Sequence, residues 1–190
     1  MTWVRPVEDL CFRLAGASDA RAVAALHADS WRRHYRGAYS DDFLDGDVHT
    51  DRIAVWTKRL GEPDRPSRTI VAEDGERLLG FAHTVFEEDP RWGALLDNLH
   101  VVHGEKRRGV GSRLMALTGR AVLERDTGLY LWVLEQNVDA QAFYASRGGR
   151  RVERVVIPAS SMHNGSPVAL RYAWADPRVL DVGRAQDVKT

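Results

Sequence analysis

The sequence predicts an α/β domain in which helices cover both faces of one β-sheet. Three observations lead to this prediction. The length of 190 residues suits a single domain, for which about 100–200 residues are usual. Short runs of β-branched and aromatic residues alternate along the chain with longer segments in which apolar residues follow helical spacing. Hydrophobic residues make up 44% of the chain, which is enough to fill the core of such a domain.

Seven segments have the composition or alternation of β-strands. The dipeptide Asp74-Gly75, which is typical of a hairpin turn, joins two of them. The most apolar segment, residues 129–134, is expected to lie in the interior of the sheet. In chain order, the predicted strands cover residues 12–14, 69–73, 79–87, 94–102, 129–134, 150–157 and 168–174.

Four segments show the spacing of amphipathic helices. Ser18 precedes the first of them and is expected to cap it, with Val23 and Leu26 on the buried side. Gly148-Gly149 ends the last helix, because glycine readily adopts the conformation that follows a helix C-terminus. The other helices are predicted over residues 51–60, 110–125 and 137–147.

The same pattern predicts the limits of the domain, which is expected to cover residues 11–176. Residues 1–10 show no clear periodicity, and residues 177–190 lack a sustained apolar face. Both termini are therefore expected to be peripheral.

The composition argues against several classes of function. The 27 basic and 27 acidic side chains cancel, so the chain lacks the positive field that holds nucleic acid. No apolar run approaches the ~20 residues of a membrane-spanning helix, and the N-terminus lacks the apolar region of a signal peptide. The single cysteine, Cys11, cannot form an internal disulfide, which fits a reducing compartment. We therefore expect a cytoplasmic protein that binds no nucleic acid, membrane or metal.

A glycine-containing turn between a strand and a helix is the first candidate site. It reads Lys106-Arg107-Arg108-Gly109-Val110-Gly111-Ser112. Helix N-termini expose unpaired N–H groups that attract anions, and glycine lets a phosphate approach the backbone closely. A P-loop would need a lysine after the second glycine, and a dinucleotide-binding turn would need a third glycine. On the residues alone, the segment is either a phosphate-binding turn or a surface turn with solvated arginines.

The turn and the strand before it resemble the GNAT superfamily of acetyl-CoA-dependent N-acetyltransferases. The coenzyme-binding signature of that superfamily is [Q/R]-x-x-G-x-[G/A]. Here it reads Lys106-x-x-Gly109-x-Gly111, with lysine in place of glutamine or arginine. The resemblance implies that Val101 and Val102 pair through their backbone with the pantetheine arm. It also implies that the coenzyme diphosphate binds to the turn residues Lys106, Arg107, Arg108, Gly109, Val110, Gly111 and Ser112.

A second segment, from Asn137 to Gly149, is similar to the GNAT motif N-x-x-A-x-x-F/Y-Y-x-x-x-G-F, although glycine stands at its last position instead of phenylalanine. By resemblance, Asn137 contacts the pantetheine arm and Tyr144 protonates the departing thiolate. A phenol with a pKa near ~10 is a competent acid for a thiolate within hydrogen-bond reach. On the residues alone, Asn137 could equally be a helix N-cap, and Tyr144 a core aromatic residue.

An acetyl acceptor that binds as an ammonium ion needs a base, or a water path to one, before it can attack. In many GNAT enzymes this base is a carboxylate on the strand before the glycine turn. Asp97 lies on that strand and shares its alternation with Leu99, so it is the first candidate; a capping or salt-bridging role is the alternative. Glu135 follows the next strand and is the second candidate base. It is also a candidate acceptor-binding residue. The other candidates are His83 and His100.

An aromatic and basic segment lies in the region that walls the acceptor pocket in GNAT proteins. Trp31, Tyr35 and Tyr39 are expected either to contact the acceptor or to pack between helices. The arginines at positions 32, 33 and 36 either favour an acidic acceptor or are solvated.

The resemblance implies the GNAT fold, with a mixed, mostly antiparallel sheet of about six to seven strands. It implies an N-acetyltransferase that moves acetyl from acetyl-CoA to a primary amine of a small molecule or peptide, by direct attack in a ternary complex. The alternatives are a non-catalytic acyl-CoA-binding regulatory protein and a transferase of longer acyl groups. Related proteins are often dimers, so a homodimer is among the expected assemblies.

Overall fold

The computed structural model describes residues 6–126, 128–160 and 162–181. Over these residues the chain forms a seven-stranded sheet in the order β1-β2-β3-β4-β5-β7-β6. Neighbouring strands are antiparallel except for β4 and β5, which are parallel. The predicted fold class is therefore confirmed. The strands are β1 Cys11–Leu14, β2 Ser67–Asp74, β3 Arg77–Asp89, β4 Gly93–Val101, β5 Leu129–Leu134, β6 Arg150–Val156 and β7 Val168–Trp174.

The helices of the described chain are α1 Ala20–His34, α2 Asp41–Asp45, α3 Val48–Gly61, α4 Val110–Leu123 and α5 Val138–Ser146. The prediction that Ser18 caps α1 is wrong. Ser18 lies inside a short 3₁₀ turn, and Asp19 occupies the N-cap position. The Asp19 carboxylate accepts a hydrogen bond from the backbone N–H of Gly16 at 2.8 Å, which closes this turn ahead of the helix.

Two apolar layers enclose the sheet. Helix α4 and Tyr144 of α5 contribute to the layer on one face, where Leu114, Leu129 and Leu131 are almost completely buried. Helices α1 and α3 form the layer on the opposite face, around Trp56 and Phe81. The helices thus lie on both sides of the sheet, as predicted.

The packed domain extends beyond the predicted limits of 11–176. Leu10 is 5% exposed and Leu180 is 1% exposed, and both belong to the core layer around α4. Leu180 lies against Gly119 of α4, where an added Cβ would be 3.1 Å from the Leu180 Cβ. Single apolar anchors such as these have no periodicity, which explains why the sequence pattern misses them. Residues 1–5 and 182–190 lie outside the described residues.

Strands β4 and β5 are paired at only two positions, Ala94 with Leu129 and Leu95 with Tyr130. Beyond them the ladder ends, so the carboxyl-terminal parts of the two strands are not paired with each other; we call the place where they separate the cleft. A β-bulge lies at the same point, because β3 pairs with Leu96 and Asn98 but not with Asp97 between them.

Three histidines, His27, His83 and His100, lie between the sheet and helices α1 and α3. Trp56 Nε1 donates a hydrogen bond to His27 Nδ1 at 2.9 Å, and Thr69 Oγ1 lies 2.7 Å from His83 Nδ1. Burial lowers the pKa of His83 to about 4 and that of His100 to about 3. The fold therefore holds these imidazoles in their neutral form.

Acid should destabilise the fold through His83. Its pKa falls from the ordinary 6.5 to about 4 on folding, so between these values the unfolded chain binds a proton that the folded chain does not. His83 should therefore lower the free energy of unfolding by about 1.4 kcal/mol for each unit that the pH drops within that window. Urea unfolding across the window should show a shallower pH dependence for His83→Gln. Equal slopes for the two proteins would contradict this account.

Candidate active site

The predicted phosphate-binding turn forms the N-terminus of α4. Gly109 is the N-cap residue and has a left-handed φ of 85°, and Arg107 also has a positive φ of 66°. A left-handed conformation is energetically costly for arginine. Where left-handed residues alternate with right-handed ones, successive backbone N–H groups point into one concavity that can bind an anion. Among the described residues, no side chain caps this helix. Its first N–H groups are therefore available to an anion.

The basic side chains of the turn are partly neutralised by a carboxylate. Glu105 forms ion pairs with both Arg77 and Arg108. Lys106 Nζ lies 3.1 Å from His34 Nε2, and Arg107 is exposed. An anion in the turn would therefore depend on the backbone N–H groups together with Lys106 and Arg107.

Gly111 lies where α4, α5 and β4 converge. An added Cβ would be 3.5 Å from Phe143 Cζ and 3.7 Å from Val101 Cγ2, which is ordinary van der Waals contact. The adjacent Val110 is buried in the core, so it can offer a ligand only its backbone, while Ser112 is half-buried. The turn can thus approach a phosphate closely through its main chain.

The structure contradicts the expected backbone pairing of Val102 with the pantetheine arm. Val102 donates its N–H to the carbonyl of Leu79 at 2.8 Å, and its carbonyl accepts from Glu105 N–H at 2.9 Å. Both groups are engaged because the chain leaves β4 at this residue and enters a 3₁₀ turn. Val101, the last residue of β4, lies beyond the end of the β4–β5 ladder.

Tyr144 lies in the last turn of α5, in the core layer shared with α4. Its ring packs against Phe143 at 5.4 Å and Tyr172 at 6.3 Å between centroids. Burial raises the pKa of Tyr144 above its ordinary value. The phenol therefore keeps its proton at neutral pH, as a general acid must. Asn137 caps the same helix, because its Oδ1 accepts a hydrogen bond from Ala140 N–H at 3.2 Å.

Trp174 occupies the space beside Gly149, where the GNAT motif has phenylalanine. Its Cζ2 lies 2.6 Å from the position that a Cβ at residue 149 would take. Trp174 Nε1 also donates a hydrogen bond to the carbonyl of Arg147 at 2.9 Å, and its ring meets the Tyr144 ring edge-on at 6.2 Å. The indole thus holds the end of α5 that carries Tyr144.

Trp31, Tyr35 and Tyr39 form a cluster at the end of α1, with ring centroids 4.9–5.3 Å apart. The guanidinium of Arg52 lies 4.4 Å from the Trp31 ring centroid, so a cation of this chain already covers that ring. Burial raises the pKa of Tyr35, and the nearby acidic groups, which include Tyr144, raise it further. Tyr35 thus lies within electrostatic range of Tyr144, whereas Trp31 packs within the cluster.

The three arginines of this segment all have partners in the chain. Arg32 donates to the carbonyl of Leu44, Arg33 pairs with Asp29, and Arg36 pairs with two aspartates of α2. The structure therefore gives no support to an acidic acceptor.

Asp97 lies on the bulge of β4, at the mouth of the cleft. The predicted alternation with Leu99 is wrong, because the bulge turns Asp97 toward α3 instead. There its Oδ2 lies 2.7 Å from Arg59 Nη1 and accepts a hydrogen bond from Asn98 Nδ2 at 2.6 Å. The Asp97 side chain is 31% exposed, so solvent reaches the carboxylate.

The other candidate bases are less suited to that role. His83 is 3% exposed and sealed under α3, while His100 Nδ1 lies 2.7 Å from Ser30 Oγ. Glu135 forms an ion pair with Arg154 through both of its carboxylate oxygens, and this contact lowers the pKa of the Glu135 carboxyl group. The contacts of Asp97 with Arg59 and Asn98 use only its Oδ2.

A pocket of about 410 Å³ lies at the end of β5, between the loop after α1 and the loop from β6 to β7. Gly37 lies on one side of it and Asn164 on the other, and Glu135 and Gln136 also contribute to its lining. The Asn164 side chain donates a hydrogen bond to the carbonyl of Tyr39 at 3.0 Å, which ties the two loops together.

The sequence carries no signal for several residues that shape this site, among them Arg59, Gln136 and Asn164. Each contacts a segment far away in the chain; Asn164 and Tyr39, for example, are 125 residues apart. Only the folded chain brings such partners together. Residues of this kind can be identified from contacts in the structure, but not from their spacing in the sequence.

Comparison with known proteins establishes the family. Residues 27–148, more than half of the chain, match the model of the "Acetyltransferase (GNAT) family". The matched range contains the glycine turn, Asp97 and Tyr144. The chain belongs to the GNAT acetyltransferase family. The predicted family and enzyme class, a GNAT N-acetyltransferase, are thereby confirmed.

Three GNAT relatives illustrate the likeness. The uncharacterized N-acetyltransferase YuaI of Bacillus subtilis is 26% identical over 144 residues, which cover 74% of this chain and 80% of YuaI. The PaiA N-acetyltransferase of Thermoplasma acidophilum, solved in complex with coenzyme A, has a TM-score of 0.65 at 16% identity and matches 87% of this chain and 99% of its own. NAA60 of Arabidopsis thaliana, solved with a bisubstrate analogue, has a TM-score of 0.64 at 18% identity, with coverage of 87% and 97%. The two structures show that the GNAT fold is shared.

Within the ranges that the structure describes, no helix has both the length and the apolar character needed to cross a membrane. Over the same residues, no group of three or more histidine, cysteine and acidic side chains is arranged to hold a metal ion.

Proposed function

We propose that this GNAT protein transfers acetyl from acetyl-CoA to a primary amine of a small molecule or peptide, by direct attack in a ternary complex. The observation that carries the proposal is the early end of the β4–β5 ladder, which leaves Val101 unpaired with β5 ahead of the uncapped N-terminus of α4. Asp97 lies on the bulge of β4, and Tyr144 lies on α5.

The residues at the cleft fit the coenzyme. The first N–H groups of α4 would hold the diphosphate, with Lys106 and Arg107 adding positive charge. The backbone of Val101 would pair with the pantetheine arm, as an added strand pairs with a sheet edge. Asn137 uses its Oδ1 for the helix cap, which leaves its amide nitrogen to donate to the same arm. Bound acetyl-CoA supplies an acetyl group activated as a thioester and a thiolate leaving group.

Two side chains move protons in this proposal. Asp97 accepts, through a water molecule, the proton of the incoming ammonium, so that the nitrogen lone pair becomes available for attack. Tyr144 donates its hydroxyl proton to the sulfur as the carbon–sulfur bond breaks. The burial that raises the pKa of Tyr144 keeps this proton in place until then.

Tyr144→Phe tests the proposed function. It removes only the hydroxyl and keeps the packing of the ring, so turnover should fall by ~10²-fold or more while acetyl-CoA binds with nearly unchanged affinity. Release of free CoA over a panel of amines measures turnover, and calorimetry measures binding. Tyr172→Phe is the matched control, since it removes a hydroxyl from the neighbouring ring, and it should keep the turnover.

Unchanged turnover in Tyr144→Phe would remove Tyr144 from the mechanism. If the unaltered protein binds acetyl-CoA but releases no CoA with any amine of the panel, the proposal fails. Such an outcome would favour a non-catalytic acyl-CoA-binding regulatory protein.

Asp97→Asn tests the proton acceptor. At neutral pH we expect kcat/KM to fall by ~10²-fold, because the acceptor amine then remains protonated. The deficit should shrink at alkaline pH, where free amine is already abundant. Asp64→Asn, which breaks an exposed ion pair with Lys58, is the control and should follow the unaltered protein. Parallel pH profiles for Asp97→Asn and the unaltered protein would exclude Asp97 as the acceptor.

A further inference from the structure

Hydrogen-bond acceptors of three side chains line the pocket at the end of β5, together with the Ser166 hydroxyl. Gln136 donates both protons of its amide nitrogen to backbone carbonyls, to His34 at 3.3 Å and to Arg36 at 2.8 Å. A carbonyl can only accept, so this contact fixes which end of the amide is nitrogen. The Gln136 Oε1 therefore remains as an acceptor, and it lies 3.8 Å from where a Cβ would stand on Gly37 at the pocket wall.

Asn164 is oriented by the same rule. Its Nδ2 donates to the carbonyl of Tyr39 at 3.0 Å, and its backbone N–H donates to the carbonyl of Ala38 at 2.9 Å. One N–H of the side-chain amide is thus committed to the loop after α1. The Oδ1 atom remains as an acceptor.

Glu135 adds a carboxylate to these two amide oxygens. Among the described residues that line the pocket, it is the only charged one. Arg154 holds it through two hydrogen bonds of 2.9 and 3.0 Å. Since the two side chains are 44% and 55% exposed, the ion pair contributes little to folding, and the carboxylate can still accept from a ligand.

The two amide oxygens and the carboxylate favour a group that is rich in donors. An anion would be repelled by the Glu135 carboxylate, and a hydroxyl group offers a single proton. An ammonium ion offers three donors together with a positive charge. We propose that this pocket binds a second ammonium group of the acetyl acceptor, so that diamines are the preferred substrates. This inference rests on the proposed acetyl transfer to amines, and it names the class of amine.

Equilibrium binding tests the pocket without any turnover. The probes are α,ω-diamines of increasing length, each paired with the n-alkylamine and the amino alcohol of equal length, titrated calorimetrically into the full-length protein with coenzyme A present. At the best length, the diamine should bind about 10-fold or more tightly than both partners, as a charge-assisted hydrogen bond would give. Equal affinities for diamine and monoamine at every length, or a preference for the amino alcohol, would overturn the proposal.

Two variants of the ion pair should act in opposite directions. Glu135→Gln removes the carboxylate and leaves the Arg154 cation nearby, so the preference for the diamine over the monoamine should fall by about 10-fold. Arg154→Gln frees the carboxylate, so the same preference should rise. Glu124→Gln, which breaks an exposed ion pair with Arg68, is the control and should leave the preference unchanged. Changes of the same sign in Glu135→Gln and Arg154→Gln would assign the pair a structural role only and overturn the proposal.

Release of CoA separates this inference from the proposed function. If the protein binds diamines selectively but releases no CoA with any amine, the pocket assignment holds and the proposed function fails. If CoA is released at the same kcat/KM with a diamine and its matched monoamine at every length, the proposed function holds and the pocket assignment fails.

Discussion

Strands β4 and β5 share two residue pairs and then separate, and the rest of the site depends on this separation. Parallel strands in the middle of a sheet normally stay paired, because their backbone groups would otherwise lack partners. Here the bulge at Asp97 redirects β4, and the chain leaves the strand at Val102 for a 3₁₀ turn. The gap that results leaves part of the β4 edge open to an extended ligand. The chain then continues through this turn to the N-terminus of α4.

Backbone and side chains both contribute to the positive charge of the turn. Arg77 and Arg108 are bound by Glu105, so this charge rests on the N–H groups at the start of α4 together with Lys106 and Arg107. Burial favours the protonated form of Tyr144, and Tyr35, which follows α1, lies within electrostatic range of it.

The sequence predicts those parts of the site that local pattern controls. Gly109 and Gly111 mark the start of α4 because glycine spacing and the change from strand to helix are local, and Tyr144 follows from the spacing along α5. The orientation of Asp97 cannot be predicted in this way, since a bulge depends on how β3 and β4 match across the sheet. The engagement of Val102 by Leu79 is also a contact between strands, invisible to a pattern along one of them. The resemblance to the GNAT family implies roles for individual residues. Only the folded chain shows that Trp174 fills the space beside Gly149.

Calorimetric titration of acetyl-CoA into Gly111→Asp and Gly111→Ala tests most directly whether the main chain at the start of α4 holds the coenzyme. Position 111 tolerates a Cβ at ordinary contact distance from Phe143, so alanine should fold normally and bind acetyl-CoA nearly as well as glycine does. Aspartate at this position puts a negative charge where the diphosphate would lie, so we expect that variant to stay folded and to lose measurable binding. If Gly111→Asp binds acetyl-CoA as tightly as Gly111→Ala does, the coenzyme does not lie on this turn and the account is wrong.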